Sequence, residues 1–415
     1  MKTAVIGSGI SGLTVARVLT ERGESDVVVF EREKKAGGLV RCERVDGSLF
    51  HLCGGHVFNS KKQDVLEWFW AHMQREKEFH LADRHSVVYM PDGLIVPYPI
   101  ENHVYCFSKP IQDAFYADLE NIEKQGDMQP TNFDEFLRYR FGETLYRLYF
   151  EPYNRKVWRC DLRNVPLSWL EGKLPMPTVE EMRYNNAHHV EEKQFVHSSF
   201  YYANKGGSQF IVDKLAEGLD IRYNSPVQEL QLQGSQIVVN GELFDRLVWC
   251  GNVKDLVSVL ADMQDVQPFV DPVNRLAYHG TTAVFCEIDN NPYTWVYQPS
   301  EAHASHRIIC TGNFAESNNA VERTTATIEF TDAINKEEII KQLECMPFHP
   351  RYITHHYSPA TYPIQDADTR VMIKALKEVL AKHHLFITGR FADWEYYNMD
   401  VAMSAAFTIC RQMNE

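Results

Sequence analysis

The stretch "KTAVIGSGISGLTVARVL", Lys2 to Leu19, decides the fold of this chain. A short β-type run, Thr3 to Ile6, leads into a turn with GxGxxG spacing, and a helical pattern follows it. In such a unit the first glycine permits the tight turn, the second lets the backbone approach a pyrophosphate, and the third lets helix and strand pack closely. These three glycines are Gly7, Gly9 and Gly12. The stretch therefore predicts a strand–turn–helix unit that binds a dinucleotide.

Two further features support this interpretation. The helix start, with Ser11 in its first turn, offers free N–H groups and a partial positive charge to phosphates. A second apolar run, in "DVVVFERE", leads into Glu31, nineteen residues after Gly12, where a carboxylate accepts hydrogen bonds from an adenosine ribose. Arg32 follows it, and a second glycine pair comes next in "REKKAGGLVRCE".

Composition excludes several classes of function. The 415 residues exceed one compact domain, and a hydrophobic content of 44% with 24% charged residues fits a globular protein. A net charge of −14 argues against nucleic acid as the main partner. The sequence shows no signal peptide and no apolar run that could span a membrane. Nine cysteines without a CxxC pair favour a reducing cytoplasm, and the adjacent histidine pairs do not predict a metal site.

Periodicity gives a coarse map of the rest of the chain. Residues 61–77 and 110–150 are helical in pattern, with Thr131 or Asn132 as a helix cap. Between them, "HSVVYMPDGLIVPYPIENHVYCF" predicts a β-hairpin that turns at Pro91–Gly93. Strands dominate from Thr281 to Phe330, and the chain closes as helix, strand, loop and helix.

The extended glycine signature resembles that of glutathione-reductase-type flavoproteins, in the branch that holds amine oxidases, protoporphyrinogen oxidase and UDP-galactopyranose mutase. The resemblance implies FAD rather than NAD, and an α/β fold: a Rossmann FAD domain with an inserted antiparallel β-sheet lobe and a helical lobe. It implies an FAD domain of residues 1–77, 200–265 and 370–415, a substrate sheet of 78–108 and 266–369, and a helical lobe of 109–199.

Six segments, spread over nearly the whole chain, resemble UDP-galactopyranose mutases in particular. They occur in family order: "CGGHVFNS", "VPYPIENHVY", "GETLYRLYFEPYNRKVWRCD", "SHRIICTGNFAESN", "TYPIQDADTR" and "GRFADWEYYNMD". The resemblance implies a site residue by residue. Around FAD it places Gly7, Gly9, Ser11, Gly12, Glu31, Arg32, Gly38, Leu39, Arg41, His56, Val227, Gly389, Arg390 and Met399. Around the substrate and its chemistry it places His56, Lys173, Arg307, Tyr362, Tyr396 and Asp400.

In this family the activity is unusual. Reduced FAD attacks the anomeric carbon of a UDP-sugar through its N5 atom, and the sugar ring contracts with no net oxidation. The resemblance therefore implies a flavin-dependent nucleotide-sugar mutase that serves cell-surface polysaccharide or lipopolysaccharide synthesis in the cytoplasm. NAD(P)H is considered as the external reductant, and a homodimer as the assembly.

At two positions the chain departs from the family pattern, so alternative functions remain open. The family uses two arginines on the diphosphate; Arg307 matches one, but the best match for the other is Lys173, which lacks the forked geometry of arginine. Where a substrate tyrosine is expected seven residues after Arg307, the chain has Phe314. A different nucleotide sugar, an amine oxidase-like or protoporphyrinogen oxidase-like oxidoreductase, and a flavin-binding protein without catalysis therefore remain as alternatives.

Overall fold

The structure is a computed structural model, and it describes residues 1–24, 26–126, 129–167, 177–190 and 198–413. Across these residues the strands are β1 Thr3–Ile6, β2 Val27–Phe30, β3 Cys42–Val45, β4 Ser48–His51, β5 Phe79–Asp83, β6 Ser86–Tyr89, β7 Ile95–Pro97, β8 Ser199–Ala203, β9 Asp220–Arg222, β10 Leu230–Gln233, β11 Gln236–Val239, β12 Glu242–Phe244, β13 Arg246–Trp249, β14 Ala277–Glu287, β15 Trp295–Tyr297, β16 Arg307–Ile309, β17 Thr325–Thr331, β18 Arg351–Ile364 and β19 Leu385–Ile387.

The helices of the same residues are α1 Ile10–Glu21, α2 Gln63–His72, α3 Arg75–Glu78, α4 Lys109–Gln125, α5 Phe133–Leu145, α6 Glu151–Trp158, α7 Val179–His188, α8 Gly207–Ala216, α9 Val253–Val259, α10 Gln267–Arg275, α11 Lys336–Leu343, α12 Thr369–Ala381 and α13 Met399–Gln412. In the described part of the chain, no helix combines the length and apolar character needed to cross a bilayer.

A five-stranded parallel sheet carries the dinucleotide-type unit. Its strand order is β19-β13-β1-β2-β9. The sequences of β1 and β2, "TAVI" and "VVVF", are buried along their whole length, as expected for strands covered on both faces. Helices α1 and α13 pack together on one face, and the hydrophobic cluster on the other face includes residues of α9, α10 and α12. Strand β1 therefore ends between two packed layers, and the glycine turn follows at that end.

The second large sheet has seven strands in the order β18-β14-β17-β16-β15-β6-β7. The predicted hairpin is confirmed, because β6 and β7 pair antiparallel around the turn at residues 91–93. Strands β15 and β6 pair in parallel, so the sheet is antiparallel everywhere except at this junction. The junction joins segments about two hundred residues apart in the chain, and no short-range pattern could show its direction.

The helical lobe packs on one face of this sheet. The cap prediction is confirmed for Asn132, whose side chain accepts a hydrogen bond of 3.0 Å from the N–H of Glu135. Helices α5 and α6 are joined by a π-helical turn, Tyr146–Phe150, and apolar residues of both helices share one hydrophobic cluster with Trp295, Tyr297 and Ile309 of the sheet. The predicted α/β fold, with an inserted sheet lobe and a helical lobe, is confirmed.

Candidate active site

The glycine turn between β1 and α1 has the shape that its sequence predicts. Gly7 has φ +99°, a conformation that favours glycine. A Cβ atom on Gly12 would lie 1.9 Å from the carbonyl oxygen of Gly7, so only glycine lets the helix pack this closely. A Cβ atom on Gly9 would meet no protein atom within 4 Å. The space above Gly9 is therefore open at the start of α1, where N–H groups lack partners within the helix.

Glu31 is buried at the end of β2, beside this turn. One carboxylate oxygen accepts hydrogen bonds from Ser8, of 2.8 Å from its N–H and 2.5 Å from its hydroxyl, and the other accepts one of 2.9 Å from the N–H of Glu33. Because a carboxylate offers about four acceptor positions, one remains for a ribose hydroxyl. The turn and the carboxylate thus form one preorganised unit.

The segment Cys53–His56 follows β4 and contacts the seven-stranded sheet, where the N–H of Gly54 donates a hydrogen bond of 2.8 Å to Glu329 on β17. His56 is partly buried, and its Nε2 atom, which is shielded from solvent, has no hydrogen-bond partner among the described residues. Burial, with further contributions from Arg390 and His51, lowers the pKa of His56 to about 3, so its imidazole is neutral at physiological pH. The unpartnered Nε2 atom is available to a ligand.

The C-terminal segment approaches the same place. A Cβ atom on Gly389 would lie 3.1 Å from the hydroxyl oxygen of Ser11, so this segment passes directly against the start of α1. Arg390 donates hydrogen bonds of 3.2 Å and 2.5 Å to the carbonyl of Tyr397 and one of 3.1 Å to the carbonyl of Thr361. It forms no ion pair with a described carboxylate, so its positive charge is left for a bound anion.

Arg307 and two tyrosines form the centre of the site. Arg307 donates a hydrogen bond of 3.0 Å to the hydroxyl of Tyr362. The rings of Tyr362 and Tyr396 are stacked with centroids 5.4 Å apart, and Arg390 lies 4.5 Å from the centre of the Tyr396 ring. The structure therefore brings together four residues that the resemblance placed in one site. These side chains come from β16, β18 and the segment before α13, so folding alone makes them neighbours.

The sequence analysis did not predict Glu329, the carboxylate that pairs with Arg307 at this centre. It lies opposite Arg307 on the neighbouring strand β17, is 1% exposed, and pairs with the Nε of Arg307. Its other oxygen accepts a hydrogen bond of 2.8 Å from the N–H of Gly54. Burial raises the pKa of Glu329, but Arg307 and His306 lower it more, and the net shift is downward. The one signal in the sequence was an acid inside the apolar strand "TATIEFT".

The remaining predicted residues lie on separate elements of the fold. Arg41 is mostly buried, and its Nε atom has no hydrogen-bond partner among the described residues. Met399 is buried at the start of α13, and the neighbouring Asp400 accepts a hydrogen bond of 3.1 Å from Ser60. Gly38 and Leu39 form a short turn before Arg41, and Val227 packs on the cluster beneath the parallel sheet.

One predicted residue, Arg32, does not reach these side chains. The Arg32 side chain is 70% exposed and lies 3.8 Å from Glu33 and from Asp255, so it extends along the surface. Lys173 lies outside the described residues.

Phe314, the residue that replaces an expected tyrosine, is a core residue. It is 1% exposed, and its ring packs against the rings of His51, Tyr202 and Trp295. A Cβ atom on Gly55 would lie 3.4 Å from this ring, so Phe314 supports the Cys53–His56 segment from beneath. Its surroundings are aromatic core residues, so Phe314 has a packing role in the structure.

The chemistry of the site fits an adenine dinucleotide that carries a flavin. The open space above Gly9 suits a phosphate, and Glu31 suits a ribose. The unpartnered Nε2 of His56 and Nε of Arg41, together with the uncompensated charge of Arg390, suit a flavin whose reduced form is anionic. The N-terminus of α13, capped by no side chain, adds a partial positive charge near the same place.

Comparison with known proteins agrees with this site. The family model described as "Flavin containing amine oxidoreductase" matches residues 10–309. The UDP-galactopyranose mutase of Mycoplasma pneumoniae is 22% identical, over 99% of this chain and 95% of the relative. The dTDP-fucopyranose mutase of Escherichia coli is 29% identical, over 42% of this chain and 46% of the relative.

Among solved structures, a crystal structure of reduced UDP-galactopyranose mutase superposes with a TM-score of 0.87 at 20% identity, covering 100% of this chain and 93% of that one. The similarity to mutases that the motifs indicated is thereby confirmed for the sequence and for the fold. Because the family model spans most of the chain, including the glycine-turn helix and Arg307, this protein belongs to the flavin-containing amine oxidoreductase family.

Proposed function

We propose that this protein is an FAD-dependent nucleotide-sugar mutase that interconverts the pyranose and furanose forms of a uridine or thymidine diphosphate sugar. The observation that carries the proposal is the buried pair of Arg307 and Glu329, with the stacked hydroxyl rings of Tyr362 and Tyr396 beside it. An oxidase acting on an amine needs no such cation. The full-length similarity to a UDP-galactopyranose mutase supports the same conclusion.

Each group has a task in this reaction. The forked guanidinium of Arg307 binds the diphosphate while it leaves and when it returns, and Glu329 fixes the orientation of that fork. Tyr362 and Tyr396 donate hydrogen bonds to phosphate oxygens. Arg390 and the start of α13 stabilise negative charge on the cofactor side. When bound and reduced, FAD supplies the nucleophile for the anomeric carbon, and the reaction needs no net electron transfer.

The neutral state of His56 is part of this arrangement. A neutral imidazole adds no positive charge beside Arg307 and Arg390, and it can donate or accept one hydrogen bond through Nε2. The surrounding groups are partly buried and limit the access of water, which protects a reactive sugar intermediate from hydrolysis. We propose His56, Arg307, Tyr362, Tyr396 and Asp400 as the residues that act on the substrate, with Lys173 as a second cation.

The test uses the flavin-loaded protein under anaerobic conditions. The protein is reduced with dithionite and incubated with UDP-galactopyranose, UDP-galactofuranose and dTDP-sugars, and the products are separated by chromatography. Interconversion by the reduced but not the oxidised protein supports the proposal. Oxygen consumption with amines, and no interconversion of any nucleotide sugar, would instead identify an oxidase.

Arg307→Ala tests the role of the arginine. Removing the guanidinium takes away charge-assisted hydrogen bonds worth about 3 kcal/mol, so we expect affinity for UDP-sugars to fall by about a hundredfold. Flavin content, read from the visible spectrum, should stay at the wild-type level. Unchanged affinity for UDP-sugars would exclude the phosphate-binding role.

Three wider predictions are retained as proposals. NAD(P)H as reductant is tested by flavin bleaching under nitrogen, and a homodimer by light scattering during size-exclusion chromatography. A cytoplasmic role in cell-surface polysaccharide or lipopolysaccharide synthesis is tested by fractionation of the native host and by the surface sugars of a deletion strain.

A further inference from the structure

A turn formed by residues 298–306 joins strands β15 and β16 and leads directly into Arg307. The two strands pair antiparallel, with Tyr297 opposite Arg307. The N–H of Gln298 donates a hydrogen bond of 2.9 Å to the carbonyl of His306, and this bond closes the mouth of the turn. The position of Arg307 in the proposed diphosphate site therefore depends on how the mouth of this turn is held.

Lys156 of helix α6 reaches the mouth of the turn from the helical lobe. Its Nζ atom donates hydrogen bonds of 3.0 Å to the carbonyl of Gln298 and 2.9 Å to the carbonyl of Ser305. One carbonyl belongs to each leg of the turn, so a single amino group spans both legs, two residues before Arg307. The main chain of Lys156 is fixed as well, because its carbonyl accepts a hydrogen bond of 2.8 Å from the hydroxyl of Thr331 at the end of β17.

Water cannot easily replace Lys156 at these two carbonyls. Gln298 is 1% exposed and Ser305 is fully buried, so a carbonyl that lost its donor there would carry a desolvation cost. Neither polar side-chain atom of Gln298 has a hydrogen-bond partner among the described residues. At the outer end of the turn, the N–H of Ala304 donates a hydrogen bond of 2.7 Å to the side chain of Gln342 on α11. Gln342 therefore holds the outer end, and Lys156 holds the mouth.

The surroundings of Lys156 distinguish its contribution from that of an ordinary ion pair. The residue is partly buried, and its burial lowers the pKa of the amino group to about 7. Glu301, an exposed residue of the same turn, is the described carboxylate that acts on it in the opposite direction. An apolar side chain of similar length would be buried here at a lower cost. The specific contribution of the lysine is therefore its pair of directed hydrogen bonds.

The mouth of the turn is connected to Arg307 and to its counter-charge. The N–H of His306 donates a hydrogen bond of 3.2 Å to the carbonyl of Glu329, and the Nε2 atom of His306 lies 3.5 Å from the Glu329 carboxylate. That carboxylate pairs with the Nε of Arg307. A displacement of Ser305 and His306 would therefore move both the guanidinium and the group that orients it.

We propose that Lys156 is a positioning residue: by holding both legs of the turn 298–306, it sets the direction in which Arg307 presents its guanidinium to the substrate diphosphate. The inference rests on the proposed mutase function, and it assigns to Lys156 no contact with the substrate or the flavin. Because guanidinium–phosphate hydrogen bonds depend on geometry as well as on charge, a loosened turn should lose part of the affinity that Arg307 supplies.

The experiment measures the dissociation constant of UDP-galactopyranose from the oxidised flavin-loaded protein by calorimetry. Lys156→Met keeps nearly the length of the side chain and removes both hydrogen bonds, and we expect affinity to fall about tenfold, as for the loss of one charge-assisted hydrogen bond. Lys156→Arg keeps donors for both carbonyls and should recover affinity to within about threefold of the wild type. In the reduced protein, Lys156→Met should raise KM and leave kcat nearly unchanged, because the diphosphate is bound before and during the reaction alike.

A double variant determines whether the effect passes through Arg307. In the Arg307→Ala background, Lys156→Met should not weaken binding further, because the group that it positions is already absent. A structural role independent of Arg307 would instead add its full loss to that of Arg307→Ala. Lys109→Met is the matched control: Lys109 is an exposed lysine of α4 in the same lobe, lies 2.7 Å from Asp113, and should be replaceable without a change in affinity.

The outcomes separate the positioning role from the mutase proposal. The positioning role is overturned if Lys156→Met binds as tightly as Lys109→Met, if its loss adds in full to that of Arg307→Ala, or if Lys156→Arg recovers none of the lost affinity. The mutase proposal then stands as long as the reduced wild type interconverts nucleotide sugars. Should Lys156→Met fail to fold, Lys156→Gln, which is too short to span both carbonyls, takes its place in the same comparison. If the wild type neither binds nor interconverts any nucleotide sugar, both proposals are overturned.

Discussion

Glu329→Gln is the perturbation that most directly tests how the candidate site is held together. The substitution preserves the shape of the side chain and removes its charge. In the wild type the carboxylate pairs with Arg307 and accepts the N–H of Gly54, and it is 1% exposed. In the variant, the amide oxygen can still accept the hydrogen bond from the N–H of Gly54. The NH₂ group of the amide then faces the guanidinium of Arg307. Arg307 then lacks a counter-charge and faces another donor.

The magnitude follows from burial. Leaving a buried charge without its partner costs about 3–5 kcal/mol. The Arg307 side chain is 18% exposed, so water compensates part of this loss, and we expect about 2–3 kcal/mol. For a chain of 415 residues, with an unfolding entropy of about 2.1 cal/mol/K per residue, that corresponds to a fall in melting temperature of about 2–3 °C. The diphosphate of a bound nucleotide sugar restores a counter-charge to Arg307. UDP-galactopyranose should therefore raise the melting temperature of the variant more than that of the wild type.

The assay is thermal unfolding of the flavin-loaded protein with and without UDP-galactopyranose. Because the pKa of Glu329 is shifted down, its stabilising effect is complete above its ordinary value of 4.5 and is lost only as the pH falls through the lowered value. The difference between variant and wild type should thus be constant from about pH 6 to about pH 8.

The matched control is Glu287→Gln, at the end of β14 in the same sheet. Its partner Arg351 lies 2.9 Å away and is 55% exposed, so the loss should stay within about 1 kcal/mol. Two results would refute the reasoning: a melting temperature of Glu329→Gln equal to that of Glu287→Gln, or a smaller rise in melting temperature with ligand for Glu329→Gln than for the wild type.

Two further predictions concern the cofactor side. Gly9→Ala should fold normally but lose most of its FAD, because the added methyl group meets no protein atom within 4 Å and occupies the space proposed for a phosphate; circular dichroism and the visible spectrum check this, and a yellow variant with full flavin content would contradict it. His56 should stay neutral from about pH 5 to about pH 8, since its pKa lies near 3. Nitrogen-15 NMR of labelled histidine measures its state, and a titration of His56 in that range would show that the ring is not shielded from solvent as described.

Much of the architecture could be predicted from local sequence. The glycine turn, the acid at the end of β2, the hairpin at residues 91–93 and the cap at Asn132 each depend on a few adjacent residues. Their conformations are set by backbone sterics and short-range hydrogen bonds, which act in the same way wherever the segment lies in the fold. The similarity of six dispersed segments to one family then predicted which parts of the chain form the sheet lobe and the helical lobe.

The polar centre was harder to predict, for a physical reason. Glu329 acquires its role because β16 and β17 pair in one register, which places it opposite Arg307. The rings of Tyr98 and Tyr297 lie 4.8 Å apart, although these residues belong to segments almost two hundred residues apart in the chain. The sequence also left two roles open for Phe314, a core residue or a lost substrate contact. The packing of His51 and Tyr202 around its ring distinguishes these roles, and that packing forms only in the folded chain.

These long-range contacts also suggest how the two halves of the site are coupled. The two oxygens of Glu329 bind different elements: one holds Arg307, on the proposed substrate side, and the other holds Gly54, two residues before His56 on the flavin side. A shift of the Cys53–His56 segment would move the carboxylate and, with it, the guanidinium. Because the carboxylate is buried, water cannot replace either bond at low cost. The affinity of Arg307 for a diphosphate should therefore depend on what occupies the flavin side, so that one carboxylate links substrate binding to the state of the cofactor.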